Sequence, residues 1–139
     1  RALDLNPNDP EILAEMGHYL SFMGEYQRGT ELSKRAQQLN PLHPGWYHFS
    51  AARLHYHQRR YKDVLRDVQQ ISMPQFYWTH LLNAAALGQL GDGSAAHSLA
   101  MMKKVKPEMS ARVEIEKWNA TPEDLAQLIE GLRKAGQDE

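Results

Sequence analysis

The sequence contains no cysteine, and this absence excludes several classes of protein at once. Without cysteine there is no disulfide framework, no cysteine-ligated zinc or iron–sulfur site and no catalytic thiol. An excess of charge of one sign is missing too, since 16 Lys and Arg stand against 17 Asp and Glu and leave a formal net charge of -1. This balance argues against a chain-wide electrostatic affinity for nucleic acid or acidic lipid.

Long apolar runs are also missing. No run approaches the roughly 20 residues that span a bilayer, and the first residues, RALDLNPND, lack the apolar core of a signal peptide. We therefore expect a cytoplasmic protein with no membrane segment, and the lack of cysteine is compatible with a reducing compartment. The 139 residues, of which 42% are hydrophobic, are enough for one domain with its own core.

An internal repeat is the strongest signal in the sequence. The string LNP at residues 5–7 recurs at residues 39–41, an offset of 34 residues. Between the two strings lie the small residues Gly17 and Gly29 and the turn Gly24-Glu25-Tyr26. A period of 34 with this pattern is typical of a helix–turn–helix unit, and the chain resembles the tetratricopeptide repeat proteins. The resemblance implies an all-α fold, a superhelix of about three antiparallel helix pairs.

The repeat divides the chain into tetratricopeptide repeats over residues 1–107 and C-terminal capping helices over residues 108–139. The repeats are the end of a truncated unit and three full units, at residues 1–7, 8–41, 42–73 and 74–107. Tyr61 follows Tyr26 by 35 residues, and we place the inserted residue in the turn. Because nothing at Arg1 resembles the cap that a solenoid needs at each end, we expect further protein upstream.

Small and large residues at fixed points of each unit predict how the helices pack. Each helix pair has an apolar stripe that it cannot bury alone, so stacked pairs form one continuous core. The alternative is a generic helical bundle with chance Asn-Pro dipeptides. The small residues that allow close helix contacts are Gly17, Gly29, Ala51 and Ala84, and the large ones that fill the space between pairs are Tyr26, Tyr61 and Leu99.

The C-terminal segment has helix signals of its own. Residues 110–118 predict a short helix with Val113 and Trp118 as buried anchors. Thr121 is placed to cap a second helix, and Gly136 is placed to end it. The spacing i, i+3, i+4, i+7 predicts that one face of this second helix is buried, and its residues are Leu125, Leu128, Ile129 and Leu132.

Three features that occur in order support a narrower resemblance. They are NPLHPGWY at residues 40–47, an Arg-Tyr turn at residues 60–61 and the ending DLAQLIEGLRKAGQDE at residues 124–139. This order resembles the C-terminal repeat region of some bacterial adenylate or guanylate cyclases, and related tails occur on some winged-helix transcriptional regulators. The resemblance implies a C-terminal regulatory module of a larger bacterial signalling protein. No cyclase catalytic motif occurs in the chain, so no catalytic residue is carried over.

No group of residues in the sequence has the spacing of a catalytic, metal or phosphate-binding site. The seven histidines include no i, i+4 pair, the spacing of a helical metal site, and His48 and His55 are seven apart. The turn at residues 91–93 lacks the strand and the lysine of a phosphate-binding loop. Basic clusters at residues 59–62 and 103–106 are interpreted as solvated faces. We therefore expect no enzyme activity, cofactor, metal or nucleic acid for this chain, with a metal-dependent role of the histidines as the rival hypothesis.

A groove for a protein or peptide partner is the remaining hypothesis. In the tetratricopeptide family the first helix of each pair lines a concave face, and Gly17 and Ala51 place the helical wheel in this sequence. Packing against a neighbouring repeat is the alternative for each residue on that face. The candidate partner-binding residues are Glu11, Glu15, His18, Phe22, His48, Phe49, His55, Tyr56 and Trp78.

The charge of the predicted face limits the kind of partner. Family members that clamp a terminal carboxylate use Lys and Asn on this face, whereas this chain has Glu11 and Glu15. Two acids repel a carboxylate, so we expect a bound peptide to be neutral, aromatic or basic. Self-association and a spacer role without a ligand are the other possibilities that the sequence leaves open.

Overall fold

The computed structural model describes residues 9–118 and 120–137, and all of the regular structure in these ranges is helical. The all-α prediction is therefore confirmed, and none of the described helices is long and apolar enough to cross a membrane. The predicted truncated unit at residues 1–7 lies outside the described residues. The helices are α1 (Pro10–Phe22), α2 (Tyr26–Leu39), α3 (Phe49–His57), α4 (Tyr61–Ile71), α5 (Tyr77–Leu90), α6 (Ala95–Val105), α7 (Ala111–Lys117) and α8 (Pro122–Ala135), with a 3-10 helix at Gly45–His48.

The first six helices form three consecutive pairs. Residues 23–25, 58–60 and 91–94 join the partners of each pair, and the partners pack on each other. The first two turns share a backbone feature, because the middle residue of each, Gly24 (φ 89°) and Arg59 (φ 62°), has a left-handed conformation. Each predicted full unit contains one helix pair, while the tetratricopeptide identity and the superhelix stay predictions.

The extra residue of the second unit lies before its first helix, not in the turn. The turns at residues 23–25 and 58–60 are equally long, so the offset of 35 already applies upstream of them. Gly17 therefore corresponds to Ala52, which is fully buried, and not to Ala51, which is partly exposed. A helical wheel placed by Ala51 is wrong by one residue, or about 100°.

The first helix pair packs backbone against backbone. A Cβ on Gly17 would lie 2.5 Å from the carbonyl oxygen of Gly29, and a Cβ on Gly29 would lie 2.6 Å from that of Gly17. The Ser21 hydroxyl, on the same side of α1, donates to the Gly17 carbonyl at 2.9 Å. The close approach predicted at these two glycines is confirmed.

Helix α8 begins and ends where the sequence predicts. The Thr121 hydroxyl accepts from the Asp124 amide at 3.2 Å, and Gly136 (φ 117°) ends the helix in the left-handed conformation. Three of its four predicted core residues are buried, and Leu125 is partly buried; the buried ones are Leu128, Ile129 and Leu132.

Helix α7 turns a different face inward from the predicted one. Val113 is 58% exposed, so its prediction as a buried anchor is wrong. Ala111, Glu114 and Ile115, at i, i+3 and i+4, form the buried side instead. Trp118 packs against the core, but it is only partly buried, so its prediction as a buried anchor is confirmed only in part.

The C-terminal helices lie across the first helices of the three pairs. The backbones of α5 and α8 meet so closely that a Cβ on Gly88 would overlap the Gly131 carbonyl. From α3, the Tyr56 hydroxyl donates to the Gln127 carbonyl of α8 at 2.7 Å. We call the side that α1, α3 and α5 turn toward α7 and α8 the inner face.

Candidate functional site

Four of the predicted partner-binding residues belong to the core. Phe22, Phe49, Tyr56 and Trp78 are each no more than 2% exposed. The rings of Phe22 and Phe49 stack with 5.6 Å between centroids, and both meet Trp78 edge to face. In this conformation their role is packing, the alternative that the sequence left open.

The protein's own C-terminal segment covers these residues. The ring of Trp118 stacks on Phe22 with 5.3 Å between centroids. The indole Nε1 of Trp78 donates to the Glu114 carboxylate at 3.0 Å, and Tyr56 bonds to α8 as described above. Helices α7 and α8 thus occupy much of the inner face, where the sequence predicted a partner.

A buried ion pair lies beneath α8, and sequence analysis did not single it out. Arg53 is 2% exposed, with Nη2 3.7 Å from Asp124 Oδ2, while His57 Nδ1 lies 3.2 Å from Asp124 Oδ1. The guanidinium carbon of Arg53 is 4.7 Å from the Phe22 ring centroid and 5.7 Å from that of Trp78. Burial lowers the pKa of Arg53 to about 10 and raises the pKa of Asp124 to about 6. Because both pKa values leave the groups charged at neutral pH, the pair ties α3 to α8.

The predicted histidines of the second unit have local partners. His55 Nδ1 lies 2.6 Å from Asp67 Oδ2, and the Nε2 atoms of His48 and His43 are 3.0 Å apart. Burial, followed by the charge of His43, lowers the pKa of His48. Within residues 9–118 and 120–137, no group of three or more His, Asp or Glu residues is placed to hold a metal ion.

Two of the predicted residues of α1, Glu15 and His18, border a pocket of about 270 Å³. Glu11 lies outside it, where it accepts a bond of 3.4 Å from the Tyr47 hydroxyl. Helix α1, the 3-10 helix, the segment before α5 and the end of α7 all contribute to the wall. The residues that line this aromatic pocket are Glu15, His18, Tyr19, Trp46, Met73, Phe76 and Trp118.

His18 contacts both tryptophan rings of the aromatic pocket. Its imidazole stands at 89° to Trp46 and at 84° to Trp118, with centroid distances of 6.4 Å and 5.5 Å. Burial, helped by the charge of Arg53, lowers the pKa of His18 to about 4, so the imidazole is neutral at pH 7. Its Nδ1 is buried without a hydrogen-bond partner in the described chain.

Two glutamate carboxylates lie next to these rings. Glu15 is exposed and makes no hydrogen bond or ion pair in the part of the chain that the structure describes. The buried Glu114 carboxylate accepts from the indole Nε1 atoms of Trp78 and Trp118, each at 3.0 Å. Tyr19, which is 51% exposed, lies 6.4 Å from Trp118 between centroids. The site is therefore aromatic, open to solvent and bordered by carboxylates.

Comparisons of the chain with protein families, with curated proteins and with solved structures found no match. The tetratricopeptide and cyclase resemblances therefore stay predictions. Of the pocket residues, Glu15 and His18 are the two predicted from the sequence to bind a partner. Tyr19 could have been predicted too, because it follows His18 directly on the same helix. Trp46 and Trp118 line the same pocket only through the fold, so the sequence carries no signal for them.

Acidification tests the environment of His18. Its imidazole binds a proton more readily in the unfolded chain, near pH 6.5, than in the folded one, near pH 4. The stability that neutral His18 contributes is thus present above pH 6.5 and is lost as the pH falls toward 4. Relative to His18→Phe, we expect wild type to lose about 2 kcal/mol of unfolding free energy between pH 8 and pH 5, measured by urea denaturation.

The comparison with His18→Phe is needed because Asp124 titrates in the same range. Its pKa is raised to about 6, so that carboxyl stabilises the folded state as the pH falls, the opposite direction. The difference between the two proteins cancels this contribution. Parallel stability curves for the two proteins from pH 8 to pH 5 would contradict the assignment.

Proposed function

We propose that this chain is a protein–protein interaction module without catalytic activity, and that the aromatic pocket and its rim are the contact surface. The observation that carries the proposal is the open pocket whose lining includes the rings of Tyr19, Trp46 and Trp118. Concave, mainly apolar sites with a few polar groups are typical of binding surfaces. Tyr19 and Met23, both exposed and one helical turn apart, extend the apolar surface along α1.

The resemblance of the sequence to known repeat regions supports a proposal for where this module lies in a larger protein. Residues 40–47, 60–61 and 124–139 are similar to the C-terminal repeat regions of bacterial adenylate or guanylate cyclases. On this proposal the chain is the C-terminal regulatory part of such a signalling protein. Binding of a partner, or of a second copy, then places or controls the domain upstream.

Capture experiments with two matched variants test the surface. Tyr19→Ala removes an exposed ring at the pocket, whereas Leu42→Ala removes an even more exposed apolar side chain (94%) outside it. We expect Tyr19→Ala to reduce the recovery of specific partners by roughly tenfold, because aromatic residues dominate interface energies. Leu42→Ala is expected to match wild type. Quantitative mass spectrometry of the retained proteins gives the measurement.

Solution mass separates a foreign partner from self-association. Light scattering over a range of concentrations shows whether wild type forms a dimer. A dimer that Tyr19→Ala abolishes and Leu42→Ala preserves supports association through the pocket surface. A monomer at every concentration, together with no protein whose capture depends on Tyr19, contradicts the proposed function.

A further inference from the structure

The aromatic pocket has the chemistry of a cation site. Its walls include two indoles and a phenol, and the faces of such rings attract cations through their quadrupoles. Trp46 and Trp118 both stand nearly perpendicular to the His18 imidazole, with ring centroids 6.4 Å and 5.5 Å from it. Because the partly buried His18 imidazole is neutral at pH 7, it adds no positive charge to the pocket wall.

Two carboxylates lie in the pocket wall or directly behind it. Glu15 lines the pocket without a partner of its own in the described chain, so its negative charge is available to a ligand. Glu114 accepts the Trp118 indole N–H at 3.0 Å, and this bond makes the indole face more electron-rich. The nearby Arg53 is buried, stacks on Phe22 and is opposed by Asp124.

We propose that the aromatic pocket binds an arginine side chain of the partner protein. Its planar guanidinium stacks on the indoles of Trp46 and Trp118, and its charge lies beside Glu15. Arginine fits better than lysine because a delocalised planar cation stacks on aromatic faces and is more weakly hydrated. The inference rests on the proposed function, since it names the group by which the partner is recognised.

Nuclear magnetic resonance of the three indole N–H groups tests this inference. The probe is acetyl-arginine methylamide, and the control probe is the citrulline analogue, which has the same shape without the charge. At pH 7.5 and constant ionic strength, we expect the arginine probe to shift the Trp46 and Trp118 signals saturably. The signal of the buried Trp78 is the reference and is expected to move little. The citrulline probe is expected to bind at least about fivefold more weakly.

Variants of Glu15 and Tyr19 measure how much the carboxylate and the exposed ring contribute to binding of the probe. Glu15→Gln is expected to weaken binding of the arginine probe by about fivefold, because it removes one carboxylate near the cation. Glu31→Gln, the same change at an exposed residue of α2 outside the pocket, is expected to leave the affinity unchanged. Tyr19→Ala is expected to weaken binding by about threefold through the loss of one ring face. Since Glu15, Tyr19 and Glu31 are exposed, the fold of each variant is expected to persist, and its amide spectrum shows this directly.

Three results would overturn the inference. They are equal affinity for the arginine and citrulline probes, equal effects of Glu15→Gln and Glu31→Gln, and no shift of Trp46 or Trp118 with the arginine probe. Acetyl-phenylalanine methylamide separates this failure from that of the proposed function. If this neutral probe shifts the two indoles and the arginine probe does not, the cation inference fails while a contact surface for an apolar partner remains.

Discussion

Replacing Arg53 with methionine is expected to lower the free energy of unfolding by about 3–5 kcal/mol. The side chain is 2% exposed, and its charge faces Asp124 beneath α8. Without the guanidinium, the Asp124 carboxylate stays buried with His57 as its only close polar side chain among the described residues. The pair is also incompletely hydrogen-bonded, because Arg53 Nε and Nη2 have no bond partner in the described chain. Urea denaturation followed by circular dichroism measures the loss.

Two further variants separate the buried charge from the loss of side-chain packing. Arg60→Met breaks an ion pair of 2.8 Å with Asp63 at the surface, and we expect it to cost at most about 1 kcal/mol. Arg53→Met combined with Asp124→Asn removes both buried charges and is expected to recover about 1–2 kcal/mol relative to Arg53→Met alone. If Arg53→Met and Arg60→Met lower the free energy of unfolding equally, the buried pair contributes no more to stability than the exposed one, which contradicts the prediction.

Replacing Gly131 with leucine is expected to release α8 from α5, at a cost of about 3 kcal/mol or more. A Cβ on Gly131 would lie 2.6 Å from the Ala85 carbonyl and would also overlap the Tyr56 hydroxyl. Both neighbours are held in place, Ala85 in the middle of α5 and Tyr56 by its bond to Gln127. A longer side chain therefore cannot enter unless the two helices separate.

Hydrogen exchange locates the effect of Gly131→Leu. We expect amides of α8 to lose protection first, while the Gly17–Gly29 contact of the first pair stays protected. Gly93→Ala is the matched control, because a Cβ there meets nothing within 4 Å, and its stability is expected to stay within about 0.5 kcal/mol of wild type. Unchanged protection of α8 in Gly131→Leu would contradict the tight α5–α8 contact.

The position of α8 explains where the prediction of the site succeeded and where it did not. Glu15 and His18 could be selected from the sequence because helical spacing puts them on one face of α1. The same spacing placed Phe22 on that face as a partner-binding residue, but α7 and α8 cover it in the structure. The available signal for the buried ion pair was a charged Arg53 beside the buried Ala52 and Tyr56 in one helix. A charge in an apolar stripe needs a partner, but Asp124 lies 71 residues away in the sequence.

The sequence by itself determined the local features of this protein. Helical periodicity, the cap at Thr121 and the left-handed end at Gly136 depend on neighbours along the chain or one turn away. The small residues Gly17 and Gly29 lie within one 34-residue repeat, on the two helices of the same pair. These features therefore predicted an all-α fold and several of its helix boundaries correctly.

Only the tertiary structure decided which surface is open. The one-residue shift before α3 turned Ala52 inward, and α7 and α8 together cover much of the inner face, with α8 docked on α5 through Gly88 and Gly131. The aromatic pocket exists because Trp46 and Trp118, distant in sequence, both pack beside His18 of α1. The physical reason is that long-range packing selects one arrangement among many that share the same helices, and a residue's burial depends on that arrangement.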